Sequence, residues 1–259
     1  AAGARYFAEF PANIKLYGLS ASTLLPGGVA LQGEYSFRPN QPLQVGNIDL
    51  LLSALRLQSI LTGPTGTPAP GTELSGFRSV NMHQIQATAT KAFGPTFKAS
   101  QFVVVGEAGY TYLKLPDGIN FNGPGTSLPS VGSFNAAGGS FQRDGFVTRD
   151  SWGYRLVARL DYNNAIGAAT LSPRLAFAHD VRGVSPTFNQ GTKTFTAGLN
   201  YNLRESFQVD LSYTNFFGGR TFSGTDVAGV PAGQSASFAT GANPVKDRDF
   251  ASINFSYSF

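Results

Sequence analysis

In several otherwise uncharged segments of this chain, the charged side chains occupy alternate positions. Residues two apart on a β-strand point to the same face, so these charges would share one face of a strand. Charges that face a pore can select solutes, and pairs of opposite charge can instead brace the interior of a barrel. Both interpretations remain open from the sequence. Arg155, Arg159 and Arg174 are expected on adjacent strands, where they would favour anionic or carboxylate-bearing solutes. The solute-facing candidates are Glu34, Arg38, Glu107, Arg155, Arg159, Asp161, Arg174, Asp180 and Asp210.

Residues that catalysis or metal binding would need are scarce. The chain has no cysteine, which excludes thiolate catalysis and cysteine metal sites. Its two histidines are His83 and His179, and His179 cannot pair with Asp180 because neighbours on a strand point to opposite faces. Residues 117–123, "DGINFNG", offer oxygen ligands without the spacing of a calcium loop. We expect no enzyme activity, no metal site and no cofactor.

The elements that position the charged residues are strands with period-two alternation. In residues 150–162, Trp152, Tyr154 and Leu156 share one face, and Arg155 and Arg159 share the other. Nine such segments are bounded by turn residues, and they predict an all-β, antiparallel chain. They cover residues 13–24, 29–38, 79–93, 97–115, 150–162, 167–180, 191–202, 207–219 and 247–259.

The connections between these segments alternate between short and long. The short ones are "LPGG", "GPT", "NNAI" and "LRES", and the long ones are residues 39–78, 116–149, 181–190 and 220–246. The strands of a soluble sandwich also alternate between apolar and polar residues, but nothing in that fold makes short and long connections alternate along the chain. Transmembrane β-barrels have tight periplasmic turns and longer extracellular loops, so this pattern predicts such a barrel as a single domain over residues 1–259.

Composition agrees with a membrane barrel. Charged residues make up 13% of the 259 residues, against about 25% in soluble domains. There is no run of 18 apolar residues, which excludes a spanning helix. The formal net charge of +4 comes without a basic run, so nucleic-acid binding is not expected.

The first long connection contains a candidate helix. Pro42 could begin it, and Ile48, Leu51, Leu52 and Leu55 have helical spacing. An apolar helix needs cover, so it is expected either to fold into the mouth of the barrel or to pack on a neighbouring loop or subunit.

The last residues, "FASINFSYSF", are a strand that ends on an aromatic residue, with Phe255, Tyr257 and Phe259 on one face. Bacterial single-chain barrels have even strand numbers, and nine leaves one edge open. The first ten residues lack the pattern of a signal peptide, so it was removed or the chain begins inside a longer product. We expect the C-terminal part of a larger barrel, which an upstream segment or a second chain completes. The alternative is an uncounted strand at residues 5–10 or 48–61.

Several motifs carry a resemblance to a known family. They are "IKLYGLS" at 14–20, "PGG" at 26–28, "GEYSFRP" at 33–39, "PLQ" at 42–44 and "DRDF" at 247–250. The chain resembles a large family of proteobacterial outer-membrane proteins catalogued as domain of unknown function 1302. The aromatic C-terminus likewise resembles the assembly signal of Gram-negative outer-membrane proteins, which implies a location in the outer membrane of a Gram-negative cell. The resemblance implies a large barrel, often encoded beside a lipoprotein and exporter-like proteins, with suspected transport of hydrophobic compounds such as sterols or aromatics.

Together these observations predict an outer-membrane channel or transporter for small compounds, hydrophobic or aromatic ones among them. The alternative is a plugged structural or docking barrel that acts with a lipoprotein or a periplasmic partner.

Overall fold

The computed structural model describes residues 5–62, 68–130, 133, 140–220, 226–227 and 242–259. Eleven strands and one helix lie in these residues. In chain order they are β1 Tyr17–Leu25, β2 Val29–Gln44, α1 Asn47–Ala54, β3 Phe77–Phe93, β4 Gln101–Lys114, β5 Ser140–Phe141, β6 Asp150–Ile166, β7 Ala169–Arg182, β8 Thr192–Leu203, β9 Phe207–Gly218, β10 Asp226–Val227 and β11 Phe250–Tyr257.

Nine of these strands form one antiparallel sheet in the order β1-β2-β3-β4-β6-β7-β8-β9-β11. The prediction of nine antiparallel strands is therefore confirmed. The two short strands β5 and β10 pair only with each other in the described residues. Each main strand lies beside the next one along the chain, so the sheet is a meander whose register follows from its turns.

The sheet is not closed into a barrel. In the part of the chain that the structure describes, β1 pairs only with β2, and β11 pairs only with β9. The physical reason is parity: in an antiparallel sheet of nine strands, the first and the last run in the same direction. They cannot form the antiparallel pair that would close the wall. The two proposed uncounted strands are also absent from the described residues, because 5–10 form no strand and 48–54 are helical.

Backbone conformation explains where several strands begin and end. Gly27 and Gly28 have φ of 83° and 72°, as the tight turn between β1 and β2 requires. Phe97 also has positive φ, at 53°, so β4 begins at Gln101 and not at 97. Strand β2 extends to Gln44, beyond the predicted 38, through an irregularity between Arg38 and Gln41.

The register divides the sheet into two faces of opposite character. Cross-strand partners share a face, and the row Thr88, Glu107, Arg155 belongs to what we name the polar face. The row Ile85, Tyr110, Trp152 belongs to the opposite, apolar face. No described residue covers large side chains of the apolar face such as Ile85, which is 53% exposed. We call the two ends of the sheet the turn end, with the short connections, and the loop end.

A small apolar core lies at the loop end of β2, β3 and β4. Met82 and Leu113 are cross-strand partners there, and both are almost completely buried. The core consists of Leu43, Val45, Val80, Met82, Leu113 and Phe121, with Leu50, Leu61, Leu115, Ile119 and Val147 packed against it. Loop residues thus bury this part of the sheet.

Candidate functional site

A groove of about 910 Å³ lies on the polar face near the turn end. It extends from the first residues of β4 across β6, β7 and β8 to β9. Most of its lining is polar, and three basic and three acidic side chains contribute to it. These are Arg159, Arg174, Arg204, Asp161, Glu205 and Asp210.

All nine charged candidates from the sequence lie on the polar face, by register. The groove brings together four of them, Arg159, Asp161, Arg174 and Asp210. The other five, which are Glu34, Arg38, Glu107, Arg155 and Asp180, do not line it. The alternation read from the sequence therefore places the candidates on one face but does not bring them into one site.

Arg174 and Asp210 form the strongest ion pair of the groove. Two guanidinium nitrogens of Arg174 donate to the two carboxylate oxygens of Asp210, at 2.5 and 2.8 Å. The two residues lie on β7 and β9, so the arginine crosses β8 to reach its partner. It does so over Gly198, where a Cβ atom would approach Arg174 Nε to 2.8 Å. Bidentate pairing fixes the geometry as well as the charge.

A second pair lies beside the first. Arg159 Nη2 donates to Asp161 at 3.0 Å, and Ser172 Oγ donates to the same carboxylate at 2.6 Å. Arg159 and Arg174 are cross-strand partners, so the two pairs neutralise what would otherwise be adjacent like charges. Two of the three arginines predicted to favour anions are thus engaged with aspartates.

The other candidates have individual environments. Glu34 accepts a hydrogen bond from Gln86 at 3.2 Å, and Arg38 contacts the sulfur of Met82 at 3.5 Å. Asp180 accepts bonds from the backbone of Asn189 and from the hydroxyl of Thr192, which fold the connection between β7 and β8 back onto the sheet.

That connection places an aromatic side chain on the polar face, a feature the sequence analysis missed. The ring of Phe188 lies 3.0 Å from the positions where Cβ atoms would stand on Gly109 and Gly153. These two glycines are cross-strand partners on β4 and β6, and they leave the space that the ring fills. Two glycines at polar-face positions of adjacent strands were the only available signal.

The first long connection contains a helix, α1, but it begins at Asn47 and not at Pro42, which belongs to β2. The helix ends before Leu55, and part of its apolar stripe is turned outward. Leu51 and Leu55 are 53% and 38% exposed, and Ile48 and Leu52 are half-buried. Its fully buried residues are instead Asp49 and Ser53. The helix is held against the second long loop, since the amide of Gly46 donates to Asn120 O and the amide of Asn122 donates to Gln44 O.

A buried carboxylate joins the two loops. Asp49 is 1% exposed and accepts hydrogen bonds from the backbone and hydroxyl of Ser130 and from the hydroxyl of Ser133, the last at 2.6 Å. Its own carbonyl accepts bonds from Ser53 and Ser59. We call this cluster of Asp49, Ser130 and Ser133 the loop latch.

The last strand is anchored just before it begins. Asp249 accepts bonds from the amide of Phe216, from Asn215 Nδ2 and from Tyr213 Oη. The backbone amide of Phe216 contributes most to lowering the pKa of the Asp249 carboxyl, followed by the amide group of Asn215. In the strand that follows, Phe255 and Tyr257 lie on the apolar face, and Phe259 follows the strand end.

A comparison with protein families identifies the chain. The family described as "Protein of unknown function (DUF1302)" matches residues 1–259, the whole of it. The chain belongs to this family. No curated protein and no solved structure matches this member of DUF1302.

Two features are absent from the described residues. No helix there has the length and apolar character to cross a membrane. No group of three or more histidine, aspartate or glutamate side chains there has the geometry to hold a metal ion.

Proposed function

We propose that this DUF1302 chain forms part of the wall of an outer-membrane β-barrel that conducts small compounds along its polar face. One observation carries the proposal: in the nine main strands the side chains of one face are mostly polar and those of the other are mostly apolar, and no described residue covers large side chains of the apolar face such as Ile85. An apolar surface of that extent requires lipid or another cover, and a lipid-facing barrel has this alternation.

The distribution of aromatic rings supports a bilayer as that cover. Towards the loop end of the apolar face, the ring of His83 stacks on Phe37 at 4.7 Å. Towards the turn end, Phe93 stacks on Phe102 at 5.3 Å. On β4, Tyr110 and Phe102 are eight residues apart, which is roughly 27 Å along the strand. A strand tilt of about 40° reduces this to roughly 21 Å, close to the apolar band of outer-membrane barrels.

The groove indicates what the polar face could pass. Two of its arginines, Arg159 and Arg174, are paired with aspartates, and the rest of its lining includes the amides of Asn200, Asn202 and Gln208. Such a surface favours small solutes that carry a hydrogen-bonding group over purely apolar ones. Among the hydrophobic or aromatic compounds expected from the family resemblance, those with a polar substituent fit the groove best.

The open sheet needs partner strands in a membrane, because every unpaired backbone amide in lipid costs several kcal/mol. Closing a fully antiparallel wall around nine strands takes an odd number of additional strands. We propose that an upstream segment or a second chain supplies them. A lipoprotein of the outer membrane is a further proposed partner.

A matched pair of substitutions tests whether the apolar face meets lipid. Ile85 lies in the middle of β3 on the apolar face, and its neighbour Gln86 lies on the polar face beside Glu34. Ile85→Arg should oppose membrane insertion by about 2–4 kcal/mol, the cost of an arginine at the bilayer midplane. Gln86→Arg gains a carboxylate partner and should insert normally.

Insertion is measured as the fraction of heat-modifiable, membrane-integrated protein after folding into lipid vesicles. Equal insertion of the two variants would refute the assignment of the apolar face to lipid. Single-channel conductance of the inserted wild-type protein then tests for a path along the polar face.

The plugged docking barrel remains a second candidate, because a specific observation favours it. The apolar core and the loop latch cover the polar face at the loop end of β2, β3 and β4. If the cover is complete, the inserted protein will not conduct, and a lipoprotein or periplasmic subunit will co-purify with it in fixed stoichiometry.

A further inference from the structure

The middle of the polar face contains an apolar patch, which is separate from the apolar core at the loop end of β2, β3 and β4. Val105, Val157 and Ala176 are consecutive cross-strand partners on β4, β6 and β7. Ala178 extends the patch by one row towards the loop end. The side chain of Val157 is 36% exposed, so the patch is accessible from the polar face. We name these four residues the valine patch.

Arg155 borders this patch, and none of the described residues pairs with it. It lies opposite Ala178 on β7 and two residues before Val157, and it is exposed. Within the described part of the chain, it takes part in no hydrogen bond and no ion pair. Arg159 and Arg174, by contrast, are both paired with aspartates. The guanidinium of Arg155 is therefore available to a ligand.

The carboxylate nearest in register does not use that guanidinium. Glu107 is the cross-strand partner of Arg155, but its carboxylate accepts a hydrogen bond at 3.3 Å from Thr88, on the strand on its other side. The two charges make no ion pair within 4 Å. A ligand carboxylate would thus meet an unoccupied guanidinium and, one strand away, a competing acidic group.

One aromatic side chain, Phe188, borders the same region on the side of the loop end. Phe188 lies over Gly109 and Gly153, and Gly153 precedes Arg155 by two residues on β6. Two residues of a strand span about 7 Å. From the ring of Phe188 to Val157, the described residues of the polar face therefore present an aromatic group, a cation that none of them pairs with, and an aliphatic floor in succession.

We propose that Arg155, the valine patch and Phe188 form a subsite for small apolar carboxylates, with benzoate as the simplest probe. The carboxylate binds the guanidinium of Arg155, and the ring lies on Val105 and Val157. Arginine matches a carboxylate through two parallel hydrogen bonds, and apolar pockets with few polar groups are typical of small-molecule sites. The subsite rests on the proposed function, because the polar face must be in contact with water for solutes to reach it.

Titration calorimetry on the intact protein in lipid nanodiscs tests this subsite, with benzoate and benzyl alcohol as a matched charged and neutral pair. Empty nanodiscs supply the background for partition into lipid. Arg155→Gln should raise the Kd for benzoate about tenfold or more, since hydrogen bonds to charged groups are lost. Its effect on benzyl alcohol should stay within twofold. Arg149→Gln removes the same charge from an exposed loop ion pair and should change neither Kd.

Two neighbouring substitutions should act in other directions. Glu107→Gln removes the competing acidic group, so the Kd for benzoate should fall. Val157→Asn should raise the Kd of both probes, because it places an amide where the ring lies. Arg155→Lys keeps the charge without the two-pronged geometry and should bind benzoate with intermediate affinity, which keeps the test valid if Arg155→Gln folds poorly.

The outcomes separate this subsite from the channel itself. Conductance without Arg155-dependent benzoate binding overturns the subsite and leaves the channel intact. Arg155-dependent binding in a protein that inserts but does not conduct supports the subsite and favours the plugged barrel. Equal weakening of benzoate and benzyl alcohol by Arg155→Gln overturns the subsite, since it would show a loss of fold and not of a carboxylate contact.

Discussion

Replacing Gly198 with alanine would test the ion pair that spans three strands of the groove. An added Cβ would lie 2.8 Å from Arg174 Nε, 2.9 Å from its Cζ and 3.0 Å from its Cγ. Real side chains do not approach one another so closely, and Cγ belongs to the stem of the arginine and not to its mobile end. The arginine must therefore move away from β8, and its two hydrogen bonds to Asp210 are lost.

The expected loss follows from the exposure of the pair. The side chains of Arg174 and Asp210 are 32% and 20% exposed, between a surface pair and a buried one. Exposed pairs contribute about 0–1 kcal/mol, and removal of one partner from a buried pair costs about 3–5 kcal/mol. Asp210 would keep only the long bond from Asn200, at 3.4 Å. We expect Gly198→Ala to lower the free energy of unfolding by about 1–2 kcal/mol.

The single tryptophan of the chain reports on unfolding without added labels. Trp152 lies on the apolar face and is 40% exposed, so its emission should shift when the protein leaves the lipid. Urea unfolding of the lipid-folded protein would give the free energies. Gly33→Ala is the control, because the nearest atom to its Cβ is Gln86 O at 3.9 Å. Its effect should stay within about 0.5 kcal/mol.

A double-mutant cycle decides whether Arg174 is the cause of the effect. In an Arg174→Gln background, the alanine at position 198 has no guanidinium to displace, so its cost should largely vanish. The reasoning is refuted if Gly198→Ala costs the same in both backgrounds, since the methyl group would then be disturbing β8 itself.

Two further predictions concern the ends of the long loops. The pKa of the Asp249 carboxyl is lower in the folded state than in the unfolded state. Its carboxylate therefore stabilises the anchoring of β11 fully at pH above the pKa of an unperturbed aspartate, and this contribution is lost as the pH falls through the lowered pKa. The Phe216 amide resonance should titrate with a midpoint below about 3.9, and a midpoint at or above that value in the wild type contradicts the anchor. Asp49→Asn replaces one of the two accepting oxygens by an NH2 group, so it should leave at least one Ser130 donor without its acceptor and destabilise the loop latch by about 1–3 kcal/mol. Limited proteolysis of residues 39–78 should accelerate, whereas Asp117→Asn, at a 95% exposed side chain, should have no effect.

The strands were predictable because alternation is a local property. In the last strand, Ile253 and Phe255 alternate with Asn254 and Ser256, and any pairing with β9 leaves them on opposite faces. The same alternation placed all nine charged candidates on one face. Strand ends were harder to predict, because positive φ at Phe97 or Asp247 depends on the turn and not on hydrophobicity.

The partners of the charges and the inward face of α1 were not predictable from the sequence. Arg174 reaches Asp210 across an intervening strand, which depends on the missing side chain of Gly198 and not on sequence spacing. The helix buries Asp49 and Ser53 because the second long loop offers Ser130 as a donor. Contacts between segments about 80 residues apart leave no periodic signal in either segment.

The two halves of the polar face differ in what covers them. On β2, β3 and β4 the loop end is covered by a core that includes Met82, Leu113 and Phe121. On β6 to β9, Arg159 and Arg174 are paired with aspartates and an open groove lies beside them. A solute that moves along this sheet would therefore follow β6 and β7, where Arg155 and the valine patch lie. Loosening the loop latch should change how solutes enter from the loop end, and substitution of Arg155 should change which solutes are retained. Because the two lie on different strands, their effects on conductance and on benzoate affinity should add without coupling.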